Sequence, residues 1–161
     1  MKLTSEWTLR RSVAFVATLG IGVAAYIAIA DSGGGAPACL AGGGGCETVA
    51  NSSYSHLAGV NIAIFGIGGY ALLLAAAALP GDLGRFGGFF VSLLGFGFSA
   101  YLTYLELFVI NAICQWCVAS AVLMTLLLCV NTTRAFRYGG AGVDLVGETD
   151  GRLKPAFRDE I

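Results

Sequence analysis

The sequence predicts an all-α membrane protein, a bundle of four transmembrane helices, and three observations carry that expectation. Hydrophobic residues make up 57% of the 161-residue chain and charged residues only 12%, against about 25% charged in an ordinary soluble domain. Four apolar runs, about 12–30, 58–79, 86–110 and 112–130, each approach the roughly 20 residues that carry a helix across about 30 Å of hydrocarbon. The nine basic residues are also segregated. Lys2, Arg10 and Arg11 precede the first run, Arg85 separates the second from the third, and Arg134, Arg137, Arg152, Lys154 and Arg158 follow the fourth. None lies between the first and second runs or between the third and fourth. The positive-inside bias then predicts a multi-pass protein of the inner or plasma membrane, with both termini cytoplasmic and the 31–57 loop and 110–113 turn facing outward.

The first run ends in Ala28-Ile29-Ala30, the form of a signal-peptidase site, but its apolar length of 19 residues exceeds the roughly 7–15 of a signal core. It reads as a retained helix anchored by Arg10 and Arg11. The loop that follows is glycine-rich at Gly33 to Gly35 and Gly42 to Gly45, a flexible backbone around Cys39 and Cys46. Val49, Ala50, Tyr54 and Leu57 then recur at helical spacing among polar residues. They predict a short interfacial helix between helices one and two, lying over the bundle. Glycines inside the later runs suit close helix contact in lipid. Residues 1–131 therefore form one membrane domain, and 132–161, with mixed charge and no period, read as a mobile cytoplasmic tail.

Chemistry enters with the cysteines. Cys114-Gln115-Trp116-Cys117 opens the fourth run, so a CxxC pair stands at the lip of a membrane helix. At a helix N-terminus the positive end of the dipole favours a thiolate, above all at the first cysteine. Two pairs facing the oxidising side of a membrane can pass two electrons by thiol-disulfide exchange. The chain has a single histidine and no CxxCH, so haem is not expected. Its glycines do not form a strand-to-helix nucleotide loop. A quinone dissolved in the membrane is then the natural electron sink. Two other readings stay open at this point: a Dsb-type oxidase, whose second pair lies in a different loop, and a thiol-based carrier of soft metal ions, with the four cysteines as ligands. No resident metal and no nucleic-acid partner are expected.

Secondary candidates are weighed against plainer roles. Glu106, near the outer end of helix three, is an intramembrane acid suited to proton delivery or pocket polarity, or one that reaches the interface. Trp116 stacks on a quinone ring or simply marks the interface. Tyr101 and Tyr104 line a pocket or pack the bundle. His56 reads as a solvated loop residue, and Cys129, about 18 Å along the helix from Cys117 at 1.5 Å per residue, as a small packing residue.

Several motifs in order resemble one family. The segment Cys46-Glu47-Thr48-Val49-Ala50-Asn51-Ser52-Ser53-Tyr54, then Gly59, Phe65-Gly66 and Tyr70, then Tyr101 to Phe108 and the CxxC, resemble the vitamin K epoxide reductase family in its prokaryotic form, over about residues 10–131. The resemblance implies that Cys117 faces the quinone, Cys114 exchanges with the loop, Cys46 is its loop partner, and Cys39 meets the external protein. It also assigns Ser52 or Ser53 to the polar segment over the active site. Many members carry a fused thioredoxin-like domain, so the reducing partner here is expected to be a separate extracytoplasmic thioredoxin-fold dithiol protein. Asn61 stands where prokaryotic members commonly have proline, Ile62 where some have a quinone-binding asparagine, and Ala121 where animal enzymes have tyrosine. The resemblance thus favours an ordinary membrane quinone, such as menaquinone or ubiquinone, over a vitamin K epoxide, with Asn61 as a substitute ligand.

Overall fold

The computed structural model describes residues 2–39, 42, 44–57 and 59–138. Helix α1 (Lys2–Ser32) leads into the cysteine loop, which contains the single turn-and-a-half α2 (Gly45–Ala50) and a two-residue hairpin, β1 (His56–Leu57) against β2 (Val60–Asn61). Then follow α3 (Ile62–Ala78), α4 (Asp82–Leu105), a π-helical turn (Glu106–Ile110) that continues α4, and α5 (Gln115–Tyr138). The hairpin is antiparallel, with His56 opposite Asn61 and Leu57 opposite Val60.

Helices α1, α3, α4 and α5 pack into a bundle, α1 against α3 and α5, and α4 against α3 and α5. Three segments, Glu6–Ser32, Asp82–Ile110 and Gln115–Arg137, are long and apolar enough to cross a membrane. Helix α3 is apolar but only 17 residues long, the lower end of the roughly 17–25 that span a bilayer. Large apolar side chains such as Phe15, Ile29, Leu72, Phe90, Leu94 and Val122 are exposed around the outside. Such a belt would aggregate in water and is the expected surface in lipid. Because lipid is as apolar as the core, close packing and hydrogen bonds hold the helices together. Val13, Ala17, Tyr70, Leu73, Ala77, Met124 and Leu127 form that core. The Tyr70 ring lies across Gly20, where any Cβ would collide with it. Its hydroxyl crosses the bundle to the Ser120 carbonyl at 3.0 Å and the Ser120 hydroxyl at 2.8 Å.

One end of the bundle is basic. Arg10 donates to the carbonyls of Ala77 and Ala78, each at 2.8 Å, capping α3 with a cation where its dipole is negative. Arg85 pairs with Glu6 at 3.0 Å and with Asp82 at 2.9 Å, and Arg134, 1% exposed, donates to Asn131 at 3.2 Å. The other end carries the cysteines.

The structure departs from the sequence expectation at the interfacial helix, at the end of α5 and at Cys129. The interfacial helix is shorter than expected: α2 ends at Ala50, capped by Asn51, and the hairpin takes the rest. The side-chain period that suggested a longer helix is interrupted by Asn51 to Ser53, which form a turn. Helix α5 continues through Tyr138, past the boundary drawn at residue 131; residues 139–161 of the expected tail lie outside the described residues. Cys129 is exposed on α5 rather than packed in the core.

Candidate active site

Cys114 immediately precedes α5 and Cys117 sits in its first turn. The turn that delivers them is built from the end of α4. The π-helical turn is closed by the Ala112 N–H donating to the Glu106 carbonyl at 3.1 Å, with Asn111 in the left-handed region at φ 54°. Asparagine tolerates that conformation better than most residues. The reversal aims the Glu106 side chain back at the CxxC, and its Oε2 accepts the Cys114 N–H at 3.0 Å. The Glu106 carboxyl also lies against the Cys117 thiol, and both line one cavity.

Cys114 is a tuned nucleophile. Its hydrogen bond with the Cys117 side chain, reinforced by the backbone N–H groups of Cys117 and Trp116, holds its pKa down to about 7, against the opposing effects of burial and the Glu106 charge. A free thiol titrates at roughly 8.5, so Cys114 supplies thiolate at neutral pH.

The loop pair is joined: Cys39 and Cys46 form a disulfide, while Cys114 and Cys117 are free thiols. Cys46 is 1% exposed, and its N–H points at Cys39 Sγ, 3.2 Å away. Gly45 lies so close to the Ile113 carbonyl oxygen that a Cβ would overlap it. That backbone contact brings together the residue before Cys46 and the residue before Cys114. A second clasp holds the other loop cysteine. Ala38 donates its N–H to the Tyr26 hydroxyl at 3.1 Å and accepts the Trp116 indole N–H on its carbonyl at 2.9 Å, and the Tyr26 and Trp116 rings meet at 4.9 Å. Farther along the loop, His56 Nε2 pairs with Asp31 at 3.3 Å and its Nδ1 meets the Ser55 hydroxyl at 2.9 Å, tying the hairpin to the end of α1.

Beneath these contacts is a cavity of about 1210 Å³ of empty space, its open mouth included. Cys46, Cys114, Cys117 and Glu106 all line it, together with Ser52 and Asn61. The apolar walls include Ile62, Phe65, Phe98, Leu102 and Met124. Of the residues expected at a ligand, Ser53, Tyr101 and Trp116 are not among its lining residues. Ser53 and Tyr101 are exposed, and Trp116 is engaged with Tyr26 and the loop. Asn61 caps α3, its Oδ1 accepting the Ala63 N–H at 2.7 Å, so only its amide nitrogen can donate to a ligand. His56, expected to be a solvated loop residue, is exposed and its ring reaches the Asp31 carboxyl. Sequence reasoning missed Asp31, Tyr54, Ser55, Tyr70 and Thr103 as cavity residues. Tyr70 had a signal, a tyrosine inside an apolar run, which in lipid demands a polar partner.

The model of the vitamin K epoxide reductase family matches residues 11–132. The chain belongs to that family. Comparison with curated proteins yields no significant match. The family is one of membrane-integral oxidoreductases that work on disulfides, and its CxxC, loop disulfide and apolar helices are all present here. Membership removes the Dsb-type reading, whose sequences are unrelated.

Proposed function

We propose that this chain is a thiol:quinone oxidoreductase that makes disulfides, passing electrons from an extracytoplasmic thioredoxin-like dithiol protein through Cys39/Cys46 and then Cys114/Cys117 to a membrane quinone. The observation that carries this reading is the contact of Gly45 with the Ile113 carbonyl, which makes Cys46 and Cys114 neighbours over one cavity. In the exchange, a Cys46 thiolate attacks Cys114 Sγ of a Cys114–Cys117 disulfide, and Cys117 leaves as thiolate. Cys39 then attacks Cys46, and Cys114 leaves. The pairing that results, Cys39 joined to Cys46 with both CxxC thiols free, is the pairing observed. The external dithiol reduces the loop disulfide and becomes a disulfide itself. The low pKa of Cys114 supports this order, because a stable thiolate is both a good leaving group and the form that reacts next.

The cavity fits a quinone: its walls are mostly apolar, Cys117 lines it, and Asn61, Ser52 and Glu106 are the polar groups available to hold ring oxygens. A bound quinone supplies a two-electron, two-proton acceptor. In this reading all four long helices cross the membrane, the basic end of the bundle is cytoplasmic, and the cysteine end faces outward. Residues 132–161 form a cytoplasmic extension of the 1–131 membrane domain.

The test uses purified protein with a soluble short-chain quinone. Oxidation of dithiothreitol should proceed with stoichiometric quinol, and Cys117→Ala should stop it. Cys39→Ala and Cys46→Ala should each abolish oxidation of a thioredoxin-fold protein while leaving part of the dithiothreitol activity, since a small thiol reaches Cys114 directly. Quinol formation by Cys117→Ala at the unmutated rate would exclude the proposed order. Stoichiometric bound metal without turnover would favour the metal carrier.

A further inference from the structure

We propose that Glu106 is a catalytic residue: its carboxyl group removes the Cys117 thiol proton as the Cys114–Cys117 bond forms and releases it toward the acceptor across the same cavity. This deepens the function proposed above and rests on it.

The geometry is specific. Glu106 is 4% exposed and lines the cavity between the two reacting cysteines. One oxygen accepts the Cys114 N–H at 3.0 Å, and the carboxyl contacts the Cys117 thiol. A buried carboxyl usually answers to a cation, yet among the described residues no Lys or Arg lines this cavity. The remaining titratable groups around it are otherwise committed or distant in role. Asp31 on α1 pairs with His56, Tyr70 on α3 binds Ser120, Cys46 is in a disulfide, and Tyr54 belongs to the loop. Glu106 is the one carboxyl touching a reacting sulfur among the described residues. It also begins the π-helical turn, and such turns inside α-helices occur frequently at functional sites. If capping α5 were its whole purpose, any oxygen acceptor would serve.

The step balances. The Cys114 thiolate and the Cys117 thiol together lose two electrons and one proton when the sulfur-sulfur bond forms, and the quinone, which takes both electrons, this proton and a second proton from water, becomes a quinol. Glu106 holds the Cys117 proton between its departure from sulfur and its arrival on a ring oxygen, and the carboxyl ends the cycle as it began.

Glu106→Gln keeps an oxygen for the Cys114 N–H and cannot carry the proton. It should slow quinol formation roughly 100-fold, within the range of general acid-base catalysis, and Glu106→Asp should recover part of the loss. A second readout needs no quinone. When diamide oxidises Cys114/Cys117, infrared difference spectra should show a carboxyl band that changes, and that band should vanish in E106Q; if E106Q does not accumulate, its shift in E106D makes the assignment. E106Q within about threefold of the parent rate, or a carboxyl region that stays silent on oxidation, would overturn the proposal. A changing Glu106 band in a protein that reduces no quinone would instead sink the function and leave the proton step standing.

Discussion

At the scale of single residues, the two cysteines of one CxxC are set to different tasks by what touches them. Cys114 gains three hydrogen-bonding partners that favour its anion, the Cys117 thiol foremost. Alkylation reads this directly, since only the thiolate reacts. The pKa lies below that of a free thiol, so the Cys114 rate should climb with pH, pass its midpoint at about 7 and level off above. An unperturbed thiol would still be gaining near pH 8.5, to within about a unit. Cys114 is buried, which slows the absolute rate, so the midpoint is the quantity to measure, by mass spectrometry of the reduced protein. Cys117→Ala removes the largest cause and should move the midpoint up. A midpoint unchanged by that substitution would show that the backbone N–H groups alone set it.

At the scale of elements, the relay depends on how the loop is pressed against the start of α5. Any side chain at position 45 meets the Ile113 carbonyl oxygen, a rigid backbone atom. Gly45→Val should therefore push α2 off the CxxC turn at a cost of about 1–3 kcal/mol, the usual range for overpacking. In a Cys39→Ala/Cys117→Ala background oxidised with diamide, the Cys46–Cys114 disulfide should then form at least about fivefold more slowly, since 1.4 kcal/mol is a factor of ten. An undiminished rate would remove the contact from the argument. Trp116→Phe keeps the ring and deletes the indole N–H that binds Ala38; it should speed proteolysis of the 33–44 loop, and equal cleavage of both proteins would show that the clasp contributes nothing. The sequence disclosed the membrane helices and the CxxC at a helix lip, because hydropathy and charge segregation are local properties of the chain. It disclosed neither clasp. Trp116 and Ala38 are 78 residues apart, and Asp31 and His56 meet only because the hairpin folds back on α1. The π-helical turn was equally hidden, since nothing in the 106–110 segment distinguishes it from ordinary helix until Asn111 closes it. Ser52, Asn61 and Glu106 were drawn from the sequence and line the cavity; Ser53, Tyr101 and Trp116 were drawn on similar grounds and lie outside it, because single-residue chemistry does not reveal which side of a loop or helix faces inward.

At the scale of the whole molecule, the two ends of the bundle differ in kind. One end holds Arg10 against a helix end, Arg85 against acidic partners and Arg134 against the Asn131 amide, and the other holds the cysteine loop and the mouth of the cavity. The positive-inside bias turns this polarity into an orientation. In right-side-out vesicles, after mild reduction, a membrane-impermeant maleimide should label the Cys39/Cys46 loop. Cys129 gives the control. It is exposed on α5, about 18 Å along the helix from Cys117, in a segment apolar enough to lie within the membrane. Its exposure is therefore to hydrocarbon rather than to water: the impermeant reagent should miss it from either side, an apolar maleimide should reach it, and Cys129→Ala should leave turnover unchanged. Labelling of the loop only in inverted vesicles would reverse the orientation, and with it the compartment in which the partner dithiol is oxidised. Labelling of Cys129 by the impermeant reagent would mean that α5 does not cross the bilayer along the length its apolar surface indicates.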